Sequence, residues 1–120
     1  MLFDKKEYKE RLNKVKDSMQ KLGIELLVSH DPANMNYLTG YDAWSFYYAQ
    51  CVLVHINEEE PICFLRAQDA GGGYIKTYVQ HKNIIPYEEK YIHTTWSRDI
   101  QIILIAFMGI CLLKIILMIL

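Results

Sequence analysis

Asp31-Pro32-Ala33-Asn34-Met35-Asn36-Tyr37-Leu38-Thr39-Gly40-Tyr41 reads as a short helix with both ends marked. Asp31 can accept a hydrogen bond from the free amides of the first turn. Pro32 suits the first helical position, where its missing N–H costs nothing. Gly40 can take the left-handed conformation that closes a helix. An aromatic run follows, Tyr41, Trp44, Phe46, Tyr47 and Tyr48, and leads into a strand. A strand, a capped helix and an aromatic-lined strand can present rings at the edge of a pocket. Composition alone favours these rings as core or hairpin packing.

Upstream, the spacing predicts a helix over Lys5 to Leu22. Tyr8, Leu12, Val15, Met19 and Leu22 recur at intervals of four and three and form one apolar stripe. Asp4 and Glu7 stand at capping-box positions, and Phe3 with Tyr8 can close a hydrophobic staple. Lysines fill the outer face, which reads as solvated, and Gly23 ends the helix. Ile24 to Ser29 is an apolar run of strand length, suited to burial on both faces.

Downstream, Phe46 to Ile56 predicts a second strand. Phe46, Tyr48, Gln50, Val52, Val54 and Ile56 point one way, and Tyr47, Ala49, Cys51, Leu53 and His55 the other. Asn57-Glu58-Glu59-Glu60-Pro61 is a polar turn whose carboxylates read as solubilising. Ile62 to Arg66 returns as a third strand, completing a hairpin. Asp69-Ala70-Gly71-Gly72-Gly73 does not make a phosphate loop. Ile75, not glycine, precedes Lys76-Thr77, where the phosphate-loop motif requires glycine. It reads instead as a helix start, with Asp69 as cap and glycines that permit close packing. Asn83 to Tyr87 is a fourth strand, and Tyr91 to Arg98 a polar, aromatic connection. This order predicts an α/β fold, a small mixed β-sheet flanked by helices.

The totals agree with one modest domain. The chain has 120 residues and a formal net charge of −1, which gives no electrostatic case for nucleic acid. Its three cysteines, Cys51, Cys63 and Cys111, lack metal-type spacing and read as reduced, packed thiols of a cytoplasmic protein. Met1-Leu2-Phe3-Asp4 runs straight into charges, unlike a signal peptide.

A valine-bearing strand, then Pro-Ala-Asn-Met-Asn-Tyr-Leu-Thr-Gly-Tyr over 32–41, then an aromatic run, resembles the N-terminal domain of the creatinase/prolidase/aminopeptidase P family of pita-bread hydrolases. The flavour is that of creatinase-like and ectoine hydrolase-like members, and the resemblance covers roughly Phe3 to Thr95. It implies a small mixed sheet with helices, standing before a larger catalytic domain. In that second domain most members hold two metal ions on aspartates, a histidine and glutamates. None of those residues can be placed in this chain, so the resemblance implies no cofactor and no catalysis here. It implies instead a domain that builds a homo-oligomer and lends residues to the partner subunit's active-site mouth. In creatinase-like members these are an aromatic and, two residues on, an arginine that grips the substrate carboxylate. Phe46 matches the aromatic, and Tyr48 falls where the arginine would be. Tyr41 and Trp44 are neighbouring candidates for lining the mouth.

From Ile100 the composition changes. Residues 100–120 are almost wholly apolar, with Gln101 and Lys114 the strongly polar exceptions. The stretch predicts an apolar C-terminal helix, and divides the chain into a domain over 1–99 and a tail over 100–120. Its length suits a bilayer span of roughly 20 residues. A membrane anchor, a helix buried in an oligomer and the product of a disrupted reading frame all fit it. The disrupted frame is favoured because Lys114 would sit inside a span and because the family continues differently after this point.

Other chemistry is sparse. His30, His55, His81 and His93 are scattered and form no ligand pair. Gly-x-Ser-x-Gly and Cys-x-x-Cys are absent. Arg66 and Asp69 form a polar cluster just past a strand end, a position where sites occur, although an ion pair or a helix cap explains them as well. Two functions follow: the non-catalytic, gating and dimerising domain of a pita-bread hydrolase, or a binding module tethered to a membrane by its tail.

Overall fold

The computed structural model describes residues 2–43, 45, 48–88 and 118–119. The first helix, α1, spans Lys5–Leu22. The Asp4 carboxylate accepts from the Glu7 N–H at 2.8 Å, but the Glu7 carboxylate takes the Arg11 Nε at 2.8 Å instead of turning back. The capping box is therefore half made. Phe3 and Tyr8 meet edge-on at 6.2 Å, which completes the staple. Tyr8, Leu12 and Met19 of the stripe are buried, whereas Leu22 is 70% exposed. Gly23 closes the helix at φ 69°.

Strand β1 is Leu26–Ser29, buried throughout. Helix α2 is Pro32–Thr39, with the Asp31 carboxylate on the Asn34 N–H at 3.0 Å and Gly40 at φ 82°. Strand β2 is Cys51–His55 and β3 is Ile62–Arg66. Helix α3, Ala70–Lys76, leads through a short 3-10 turn to β4, Ile84–Tyr87. Strands β1, β2 and β3 pair antiparallel, and β4 runs parallel to β3. The sheet is mixed, as expected, and the helices sit beside it.

Strand β2 starts at Cys51, later than the expected Phe46. The Tyr48 N–H bonds to the Ser45 carbonyl at 3.0 Å, so the preceding backbone turns where a ladder would have to run straight. The expected alternation holds within the strand. Val52 and Val54 pack with Tyr8, Leu12, Met35 and Leu65, and Cys51 and Leu53 pack on the opposite face with Phe64 and Tyr87. Helices α1, α2 and α3 all cover the first of these faces. The connection β3–α3–β4 is tight at Gly73, where an added Cβ would lie 2.9 Å from Leu65 Cδ1 and 3.2 Å from Ile84 Cγ2.

The turn over 57–61 is not a free solubilising loop. It docks along the lysine face of α1, with Lys9 on Glu59 at 3.5 Å and the Lys16 ammonium on the Glu58 carbonyl. Glu60 is buried, and its carboxylate joins Lys5 at 3.2 Å to the Gln80 N–H at 3.0 Å.

The apolar helix expected over 100–120 lies outside the described residues, as does the 91–98 connection, except at Met118–Ile119. That pair is a strand, β5, parallel to β1 with Leu27 opposite Met118. The free edge of β1 offers unpaired backbone groups, which a strand satisfies and a helix does not. Among the described residues no helix is long and apolar enough to cross a membrane.

Candidate functional site

Four chain segments converge at one end of the sheet. His30 follows β1, Gln50 precedes β2, Arg66 ends β3 and Tyr87 ends β4. Open α/β sheets place ligands at such strand ends. A hydrogen-bonded relay crosses this end. The Tyr41 hydroxyl donates to Ser45 Oγ at 2.7 Å, and Ser45 donates to Gln50 Oε1 at 2.5 Å. The Gln50 carbonyl accepts from His30 Nδ1 at 3.1 Å. The Tyr87 hydroxyl donates to the Ala49 carbonyl at 2.5 Å.

Beside the relay, Arg66 holds Asp69 with both arms of its fork, Nε to Oδ2 at 2.6 Å and Nη2 to Oδ1 at 3.0 Å. Such a bidentate pair fixes the guanidinium plane. The Tyr48 ring lies on that plane, with the guanidinium carbon 3.7 Å from the ring centroid. The Asp69 carboxylate raises the pKa of Arg66 above its already high value. Burial, above all, raises the Tyr41 phenol, with the Ser45 hydrogen bond opposing it and the Asp69 charge adding to it. Burial pushes the Tyr87 phenol up to about 12.

Three of the residues singled out in the sequence, Tyr48, Arg66 and Asp69, are thus in direct contact and half-buried. Tyr41 is adjacent but only 2% exposed, so its ring cannot line a mouth. Trp44 and Phe46 lie outside the described residues. Asp69 stands at the head of α3 but makes no capping hydrogen bond, because Arg66 occupies its carboxylate. Sequence reasoning missed Ser45, Gln50 and Tyr87. Gln50 did carry a signal, a polar residue at an inward position of an apolar strand, whereas Ser45 carried none.

The thiols of Cys51 and Cys63 are pushed up to about 12, burial being the chief cause, and stay protonated near neutrality. Among the described residues no group of three or more His, Cys, Asp or Glu side chains converges to hold a metal ion.

Comparisons agree on the family. The model of the creatinase/prolidase N-terminal domain matches residues 11–106. An ectoine hydrolase of Halomonas elongata is 44% identical over 90 residues, which is 75% of this chain and 22% of that protein. An uncharacterized hydrolase/peptidase of Sinorhizobium fredii is 41% identical over 92 residues, 77% of this chain and 24% of that protein. The chain therefore spans less than a quarter of the curated relatives it matches. Among solved structures, a proline dipeptidase from Streptococcus agalactiae superposes with a TM-score of 0.63 at 17% identity, covering 92% of each chain. The creatinase/prolidase N-terminal domain of an X-Pro dipeptidase from Streptococcus pyogenes gives 0.60 at 18% identity, covering 78% of this chain and 71% of that one. With a family model matched over most of its length, this chain belongs to the creatinase/prolidase N-terminal domain family.

Proposed function

We propose that this chain is the non-catalytic N-terminal domain of a pita-bread C–N hydrolase of the Xaa-Pro peptidase or creatinase-like kind. Its work is to form a dimer and to border the partner subunit's active-site mouth. One observation carries the reading: the Tyr48 ring rests on an Arg66 guanidinium that Asp69 holds in place. A ring and a cation locked in this way form a wall that needs little reordering when a substrate arrives. Tyr48 stands where creatinase-like relatives are expected to have an arginine, and Arg66 returns a guanidinium to the same neighbourhood. Its fork is already occupied by Asp69, so it meets a substrate through charge and ring stacking rather than through a two-armed grip. Trp44 and Phe46 stay candidates for the mouth by their place in the sequence, and Tyr41 stiffens the wall through Ser45. The buried, protonated thiols favour a reducing compartment, the cytoplasm.

The test is direct. Purified chain is given Xaa-Pro dipeptides, creatine and ectoine, with and without manganese or cobalt, and its sedimentation is followed over a range of concentrations. The expected result is no turnover and a dimer that forms with concentration. Turnover would overturn the non-catalytic role, and a monomer throughout would overturn the dimerising one.

A further inference from the structure

A groove of about 490 Å³ lies between α1, β1 and α2. That volume is within the range of small-molecule sites, roughly 300–1,000 Å³. Val15, Met19, Leu27 and Leu38 form its apolar walls. Leu22 and Tyr37 stand at its lip, 70% and 40% exposed, with their apolar surface uncovered. Ser29 also lines it. Ser29 has the same strand parity as Leu27, is 2% exposed, and its hydroxyl has no hydrogen-bond partner among the described residues. Buried hydroxyls are normally satisfied, so an orphan on a groove wall marks a place for a ligand acceptor.

Lys14 supplies the second polar feature. Other lysines of α1 are engaged by the hairpin turn: Lys5 by Glu60, Lys9 by Glu59 and Lys16 by the Glu58 carbonyl. Lys14 is exposed beside the groove and has no ion pair among the described residues. An apolar cleft with a wall hydroxyl that can donate and a cation at its edge complements one kind of molecule. We infer that this groove binds a small aliphatic carboxylate, its hydrocarbon body between Met19, Leu27 and Leu38 and its head group accepting from Ser29 and Lys14. This site goes beyond the proposed gating role and does not depend on it.

Octanoate is the probe, and octanol is the control with the same body and no charge. Both are titrated into the full chain by calorimetry and by amide chemical shifts. Saturable one-to-one binding of octanoate is expected, with shifts centred on Val15, Leu27 and Leu38. Octanol should bind about fivefold more weakly, and Lys14→Gln should weaken octanoate by a similar factor, the scale of one exposed charge pair. Lys14 is exposed, so this variant should keep its fold. Ser29→Ala should weaken octanoate severalfold, whereas Lys14→Gln should leave octanol binding unchanged. Equal affinity for octanol and octanoate, or indifference to Lys14→Gln, overturns the inference. So does absence of saturation, which is the outcome if a second copy or the chain's own apolar tail fills the groove.

Discussion

At the head of α3 the Asp69 carboxylate accepts from Arg66 rather than from the free amides of the helix. Its neighbour Arg66 lies three residues away, and the pair closes because both are only 12% and 18% exposed at the side chain. Asp69→Asn should destabilise the chain by about 1–3 kcal/mol, since it leaves a largely buried guanidinium without its counter-charge. A urea midpoint lowered with an unchanged slope would show this, and an unchanged midpoint would refute it. Cys51 and Cys63 make a second residue-scale case. Each thiol has its folded value raised from 9.0 to about 12. The stability this represents is intact below about pH 9 and is lost as pH climbs towards 12. Urea midpoints should therefore fall between pH 7 and pH 10.5, and fall less in a Cys51→Ala, Cys63→Ala double variant. The cysteines were legible as packed thiols because they sit in apolar strands. Glu60 was not legible: its burial depends on Lys5 and Gln80, residues that sequence proximity does not connect to it.

Helix ends were the most readable elements. Asp4, Gly23, Asp31 and Gly40 cap as their types and spacings predict, because capping is decided within a few residues. Strand ends were less readable, since the start of β2 is set by a turn at Ser45 and Tyr48 that the alternation does not reveal. The two left-handed glycines differ in a way that can be measured. Gly23 has nothing within 4 Å of an added Cβ, whereas at Gly40 that atom would lie 3.0 Å from the Tyr8 hydroxyl and 3.2 Å from the Lys76 carbonyl. Gly23→Ala should cost about 1 kcal/mol from backbone strain alone. Gly40→Ala should cost more, by about 1–3 kcal/mol, because crowding adds to the strain. Equal losses in thermal or urea unfolding would contradict this account. The glycine run in α3 was readable as a close approach, although only Gly73 makes one tight enough to need it.

At the scale of the molecule, element order was enough to predict a mixed sheet with helices, because hairpin and crossover connections leave few arrangements. The sheet order β4-β3-β2-β1-β5 was not legible, nor was the convergence of Tyr48, Arg66 and Asp69, since both arise from pairing between distant segments. Glu60 carries a consequence at this scale. A single carboxylate joins the first turn of α1, the hairpin and the approach to β4. Hydrogen bonding outweighs its burial and holds it below the usual carboxylate range, so it stays charged until the solution is well acidified. Three distant stretches of chain are thereby bound to one fate. Deuterium should enter the amides of the early helix and of residues 78–80 at a common rate near neutrality. Acid that protonates Glu60 should split that shared clock into separate ones.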